Sequence, residues 1–169
     1  MRVALVIAFL SSFAANLVCA DDHPTIPERQ PLLKALDGQW QMSGDVMGKA
    51  VTYKMQAGPT LQGAFTELHM NDVQIPSEYE ARVVLGYDEE SKTLIAHWMD
   101  SFGARYSIPH GTGHISDNII QFTIPYEGGS FRDTLTYNPT AKTWLFVIEA
   151  AKPDGSWQHF ARYTISRGS

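Results

Sequence analysis

Histidines are the residues of this chain whose spacing comes closest to that of a metal site. His110 and His114 lie four positions apart, and on a helix their rings would share one face. Pro109, Gly111 and Gly113 disfavour a helix at this point. On a strand the two rings also share a face but lie about 13 Å apart, at ~3.3 Å per residue, which is too far for one zinc ion. A tight bulge would be needed to bring both rings to one metal.

Arg82 and His97 are the residues that could hold a ligand carboxylate or act as an acid–base pair. They lie on two β-rich runs joined by the turn Asp88–Ser91. A four-residue turn there sets Tyr87 opposite Lys92, and therefore Arg82 opposite His97. If this face points into a core, the pair forms a polar patch inside it. The opposite face is the more apolar one, which favours an outward position.

His159 is the histidine best placed for ligating a haem iron. In the last predicted strand, alternation places it on one face with Trp157, Ala161 and Tyr163, which are mostly large and apolar. Two roles remain open for it: a core histidine bonded to a neighbour, or an axial haem ligand.

Arg132 and Asp133 pose a similar question in the eighth predicted strand. Adjacent residues of a strand point to opposite faces, so the two charges lie on different faces. This is ordinary charge placement on the two faces of a strand, unless one of them enters a cavity.

The elements that position these residues are predicted to be short strands. One helix is predicted over residues 31–36, and from Trp40 to Ile165 apolar residues recur with a period of two in ten runs. Short polar connections predict antiparallel pairing of sequential strands. Ten such strands leave open edges unless the sheet closes. We therefore predict an all-β fold, a ten-stranded antiparallel up-and-down β-barrel, with a β-sandwich as the alternative.

The first thirty residues are predicted to lie outside this domain. Residues 1–20 have the features of a cleaved signal peptide, with Arg2, an apolar run and small residues up to Ala20, so we expect a secreted or periplasmic protein. Residues 21–30 form an exposed leader and residues 31–169 the single barrel domain. Cleavage after Ala20 would leave His23 third from a free amine, a metal site suited to Cu(II) or Ni(II).

Net charge and hydropathy limit the classes of partner that this protein is expected to bind. The net charge is −5, and it becomes −6 when Arg2 is removed with the signal, which argues against nucleic acid and anionic membranes. No apolar run after the signal is long enough to span a bilayer. The single cysteine, Cys19, lies in the predicted signal, so the mature domain has no disulfide and is held by its core. The oligomeric state is not predicted.

Three motifs resemble those of a known family. They are Gly38-x-Trp40, Leu85-Gly86-Tyr87-Asp88 and Trp98-x-Asp100-Ser101-x-Gly103. They are similar to motifs of bacterial secreted domains of unknown function, lipocalin-like and of the calycin barrel group, over Leu36 to the C-terminus. The resemblance implies a barrel that binds small apolar molecules. One ten-stranded branch, resembling nitrobindin, binds haem through a histidine, but the Gly-rich stretch usual there is replaced here by Ser43–Val46.

Together these features predict a binding barrel for a small lipophilic molecule, without catalytic activity. Ten strands enclose more space than their own side chains fill, and we expect the ligand to enter near the helix at residues 31–36. Two alternatives are a haem protein and an enzyme that uses His97 with Arg82. The residues predicted to contact the ligand are Trp40, Tyr53, Arg82, His97, Trp98 and His159.

Overall fold

The structure, a computed structural model, describes residues 28–168. In this range the chain forms one short helix, two short 3-10 helices at Leu61–Gly63 and Ala104–Ser107, and ten strands. The elements are α1 (Pro31–Ala35), β1 (Gly38–Val46), β2 (Lys49–Thr60), β3 (Phe65–Asp72), β4 (Glu80–Asp88), β5 (Thr93–Asp100), β6 (Gly111–Ser116), β7 (Ile119–Ile124), β8 (Phe131–Asn138), β9 (Thr143–Ala151) and β10 (Trp157–Arg167).

The ten strands form one closed antiparallel barrel. Each strand pairs with its neighbour in sequence, and β10 returns to pair with β1, so that Met42 lies opposite Ile165. Closure leaves no unpaired sheet edge, which is the property that favoured a barrel from the sequence. The ten-stranded barrel is therefore confirmed, and the β-sandwich alternative is wrong.

The period-two pattern places apolar side chains inside the barrel. On β3, for example, Thr66, Leu68 and Met70 are buried, while the residues between them are partly exposed. The same alternation on the other strands packs aliphatic and aromatic side chains into a single core. This core holds the strands in register because a slip of one residue would expose a whole face.

Helix α1 closes one end of the barrel, which we call the helix end. Pro31 occupies the first turn, where its missing N–H costs nothing. Leu33 and Leu36 are buried, and the Trp40 indole Nε1 donates to the Leu36 carbonyl oxygen at 2.6 Å. Trp40 is therefore a residue of the barrel floor.

The leader departs from the expected exposure at Arg29, whose side chain is only 9% exposed. Its guanidinium pairs with the Asp37 carboxylate at 2.5 Å and donates to the Leu33 carbonyl oxygen and to the Thr66 hydroxyl. The planar group thus ties the start of the domain to α1 and to the buried end of β3.

Gly38 makes room for a second arginine at the helix end. Its φ is +125°, and a Cβ atom there would lie 2.0 Å from Nη1 of Arg167. That guanidinium stacks on the Trp40 ring, 3.7 Å from its centroid, and donates to the Asp37 carbonyl oxygen. The motif Gly38-x-Trp40 therefore joins the first and last strands of the barrel.

The β4–β5 hairpin has a different register from the predicted one. Arg82 lies opposite Met99, and His97 lies opposite Val84. Asp88 is paired with Thr93, so the turn is 89–92 rather than 88–91. Because the turn lies one residue later than predicted, each β4 residue pairs with the β5 residue two positions further along the chain than predicted. The predicted Arg82–His97 cross-strand pair is therefore wrong.

A β-bulge interrupts the last strand at Phe160. His159 lies opposite Glu149, and the next paired residue, Ala161, lies opposite Ile148. The extra residue shifts the alternation, so His159 leaves the face shared by Ala161 and Tyr163. The prediction that these three residues share a face is wrong.

Candidate functional site

A cavity of about 950 Å³ lies at the end of the barrel opposite α1. We call this the open end. It is formed by the loops at 73–79, 101–110 and 125–130 and by the strand ends next to them, with Val46 and Lys49 on the side of the β1–β2 turn. Ligand entry near α1, which the sequence predicted, is therefore wrong for this cavity, because Leu33 and Leu36 close the other end.

Five aromatic rings form a continuous series along the cavity wall. Tyr53 contacts Tyr79 and Tyr163, with both pairs of ring centroids 5.7 Å apart. Phe146 follows at 5.8 Å from Tyr163, and Trp98 at 6.4 Å from Phe146. These distances are typical of aromatic pairs in protein cores. The wall therefore offers flat apolar surfaces with hydroxyl groups between them.

Asp100 organises the polar part of this wall. Its Oδ2 accepts hydrogen bonds from the Tyr79 hydroxyl at 3.3 Å and from Trp98 Nε1 at 3.2 Å, and its Oδ1 accepts from the Phe102 backbone N–H at 3.0 Å. Burial, with the nearby Asp100 charge, raises the pKa of Tyr79 far above its ordinary value. Tyr79 is therefore a neutral hydroxyl at physiological pH.

Asp133 is the most unusual residue of the cavity. It borders the cavity and is only 2% exposed. Within residues 28–168 no group donates a hydrogen bond to its carboxyl, whose oxygens are not fully enclosed because the residue borders the cavity. Its partners on β7 and β9 are Phe122 and Ile148, both buried and apolar. Burial therefore raises the pKa of Asp133 well above its ordinary value.

The Asp133 carboxyl contributes to the raised pKa values of two tyrosines. Burial, together with the charge of Asp133, raises the pKa of Tyr126 to about 12. The pKa of Tyr163 is also raised, chiefly by burial and by Tyr53, with a smaller effect of Asp133. Both hydroxyls therefore remain protonated and can donate or accept hydrogen bonds at neutral pH.

Two residues predicted to contact a ligand, Tyr53 and Trp98, line the cavity. Trp40 lies in the floor at the helix end and does not border the cavity. The inward face of β4 and β5 is the apolar one, as expected, with buried Val83 and Leu85.

Arg82 and His97 point out of the barrel. Arg82 forms an ion pair with Glu67, and the His97 ring lies 5.8 Å from the ring of His110 on the outer surface. Neither borders the cavity. Arg82 and His97 therefore cannot act as an acid–base pair on a ligand in this cavity, as the enzyme hypothesis required.

His159 is exposed, and its Nε2 lies 2.7 Å from the Asp45 carboxylate. This hydrogen bond lowers the pKa of Asp45. Haem ligation through a histidine, which the resemblance implies, requires an imidazole in the cavity. Among residues 28–168 no histidine borders the cavity. The described residues therefore do not fit a haem held by a histidine.

The histidine pair His110 and His114 also gives no metal site. His110 precedes β6 and His114 is exposed on that strand. Within the described part of the chain, no three histidine, cysteine or acidic side chains are grouped so as to bind a metal ion. The predicted metal ligand His23 lies outside the described residues.

Sequence reasoning missed most of the residues that give the cavity its chemistry. Tyr79, Tyr126 and Tyr163 were not singled out as site residues, and Asp133 was noted only as a residue whose face was undecided. A usable signal existed for Asp133, because Phe131 and Leu135 flank it at positions i ± 2. An acidic residue in the middle of an apolar face predicts a buried carboxyl.

Comparisons with known proteins identify a family but no activity. Among the described helices, none combines the length and apolar character needed to cross a membrane. No curated protein matches the chain. A family model described as "Protein of unknown function (DUF1579)" matches residues 27–167, so the chain belongs to that family.

Proposed function

We propose that this protein is a binding barrel for one small apolar molecule, which occupies the cavity at the open end. The observation that carries the proposal is the cavity itself, about 950 Å³ in volume and walled by aromatic rings. Binding sites for small molecules commonly measure about 300–1,000 Å³ and are mostly apolar with a few polar groups. The cavity has the size and the mostly apolar lining of such a site.

The rim of the open end supports the same function. Large apolar side chains are exposed in three loops that surround the cavity, whereas soluble proteins seldom cluster such residues without a use. They are Met47, Val73, Ile75, Phe102, Tyr106 and Ile108. An apolar molecule would therefore meet a compatible surface before it enters.

The proposal includes a secreted or periplasmic location and a lipocalin-like place in the calycin group. Both rest on the sequence of residues 1–20 and on the motifs around Trp40, Gly86 and Trp98. The mass of the mature protein tests the first point, since cleavage after Ala20 leaves Asp21 as the N-terminal residue. A mature protein that retains residues 1–20 would contradict it.

A titration with a lipophilic fluorescent probe tests ligand binding. Trp98 lines the cavity, so we expect saturable quenching of tryptophan fluorescence at a 1:1 ratio. Val51→Trp places a large side chain in the cavity and should weaken binding at least tenfold. Val84→Trp, on the outer face of β4, is the matched control and should leave affinity unchanged. Absence of saturable binding to the wild-type protein would refute the proposed function.

A further inference from the structure

The position of Asp133 suggests a class of ligand. Its carboxyl lies inside the barrel between Phe122 and Ile148, and no described residue donates a hydrogen bond to it. Buried acidic groups are normally paired or hydrogen-bonded, because an unpaired buried charge is costly. A partner supplied by the ligand would satisfy this group.

The charged side chains around the cavity favour a cation over an anion. Five acidic side chains border it, against two basic ones. They are Asp72, Glu78, Asp100, Glu127 and Asp133, against Lys49 and Arg105. Both basic side chains are exposed at the rim, whereas Asp133 is 2% exposed. A carboxylate ligand would therefore meet like charge inside the cavity, and an ammonium group would meet opposite charge.

The aromatic wall favours a cation as well. Tyr53, Tyr163, Phe146 and Trp98 form a continuous series of rings, and the negative face of an aromatic ring attracts a positive charge. The same rings bind the apolar part of a ligand. The cavity thus combines an apolar surface with an acidic group at depth.

We propose that the cavity binds apolar amines, with the ammonium group of the ligand paired to the Asp133 carboxylate and its apolar body on the aromatic wall. This inference rests on the proposed function, which it makes more specific. It separates amines from the fatty acids and uncharged lipids that an apolar barrel would otherwise accept.

Other titratable groups around Asp133 do not change this expectation. Tyr126 and Tyr163 interact electrostatically with the carboxyl, and the pKa of each is raised, so both stay neutral. The strands beside it present Phe122 and Ile148. The remaining ionisable groups that border the cavity are Lys49, Tyr53, Asp72, Glu78, Tyr79, Asp100, Arg105, Tyr106 and Glu127.

The test compares three naphthalene derivatives of similar size by isothermal titration calorimetry at pH 8. They are 1-naphthylmethylamine, 1-naphthylmethanol and 1-naphthoate. We expect the amine to bind at least tenfold more tightly than the alcohol, and the carboxylate to bind most weakly. Asp133→Asn should remove the advantage of the amine and keep the affinity for the alcohol. Asp117→Asn removes a charge from an exposed turn away from the cavity and should change neither affinity.

A pH series on the wild-type protein keeps the test valid if Asp133→Asn fails to fold. The ammonium group pairs only with the ionised carboxyl. Below the raised pKa of Asp133, amine affinity should therefore fall by up to tenfold per pH unit, with proton release on binding, while alcohol affinity stays constant.

The outcomes separate the two proposals. If the alcohol binds but the amine binds no more tightly, or if Asp133→Asn keeps the amine preference, the amine proposal is overturned and the binding function stands. If none of the three compounds binds, both are overturned.

Discussion

A buried carboxyl group without a hydrogen-bond partner makes stability depend on pH. The folded-state pKa of Asp133 lies well above its unfolded value, because burial disfavours the charged form. Between these two pKa values the folded chain binds more protons than the unfolded chain. The contribution of this group is therefore fully present below the unfolded pKa and is lost as pH rises through the folded pKa.

Replacement of Asp133 by asparagine should remove this loss. We expect Asp133→Asn and the wild-type protein to have similar free energies of unfolding near pH 4, and the variant to be more stable near pH 8 by at least about 1 kcal/mol, since one pKa unit corresponds to about 1.4 kcal/mol. Urea denaturation across pH 4–8 measures the difference. Asp117→Asn, in an exposed turn, controls for the lost charge. If the difference in free energy of unfolding between Asp133→Asn and the wild-type protein does not grow with pH, the raised pKa of Asp133 is contradicted.

Two buried tryptophans differ in how their indole N–H groups are satisfied. Trp40 donates to the Leu36 carbonyl oxygen and carries the Arg167 guanidinium on its ring. Trp144 is equally buried and stacks on Tyr137, but its Nε1 finds no partner among the described residues. The two indoles therefore stabilise the barrel to different degrees.

Substitution by phenylalanine should reveal this difference. Trp40→Phe loses a hydrogen bond and leaves a carbonyl unpaired, so it should cost about 1–3 kcal/mol more than Trp144→Phe. Both variants lose similar volume, which makes each the control of the other. Thermal or urea denaturation gives the two values, and equal costs would show that the hydrogen bond to Leu36 contributes little.

Among the elements, the junction of α1 with β1 depends on one glycine. A side chain at Gly38 would require a strained φ of +125° and would displace the Arg167 guanidinium. We expect Gly38→Ala to destabilise the protein by about 2 kcal/mol or more. Gly58→Ala, on β2 with open space around it, should change stability by less than about 1 kcal/mol. Similar costs for both variants would contradict this role of Gly38.

Helix α1 is expected to have a structural role rather than a gating role. Leu33 is 2% exposed at the helix end, far from the cavity. Leu33→Ala should therefore cost about 2–5 kcal/mol of stability and leave probe association and dissociation rates unchanged. Stopped-flow fluorescence measures both rates. A change in these rates at unchanged stability would instead identify α1 as a lid.

At the scale of the whole barrel, residues 28–168 form one closed end and one open end, and we expect the proposed ligand to exchange through the open end. Phe102 stands at the rim, contacts Tyr79 and Tyr106, and is 70% exposed. We expect Phe102→Ala to speed probe dissociation severalfold while the free energy of unfolding changes by less than about 0.5 kcal/mol. Val73→Ala, also exposed at this rim but not bordering the cavity, is the control. Unchanged dissociation would place the entrance elsewhere.

The closed fold could be predicted because it depends on local patterns. Apolar alternation from Trp40 to Ile165 and short polar turns define ten antiparallel strands, and a closed sheet is the arrangement that leaves no edge. The helix at residues 31–36 was predicted to within one residue, since α1 ends at Ala35. These features need no knowledge of distant contacts.

The candidate site could be predicted only in part. Tyr53 and Trp98 lie on strands whose alternation is regular, and both border the cavity. His159 was misplaced because a bulge at Phe160 shifts the alternation, and Arg82 was mispaired because the turn begins one residue later. Single-residue irregularities of this kind leave no clear mark in the sequence.

The sequence by itself determined the number, order and pairing of the strands, because strand pattern and turn chemistry are local properties. Only the tertiary structure decided which end is closed, where the cavity lies and which side chains enter it. The α1 leucines and Arg29 fill one end, and the loops leave the other open. The burial of Asp133 among Phe122, Ile148 and the tyrosines arises only when β7, β8, β9 and β10 come together.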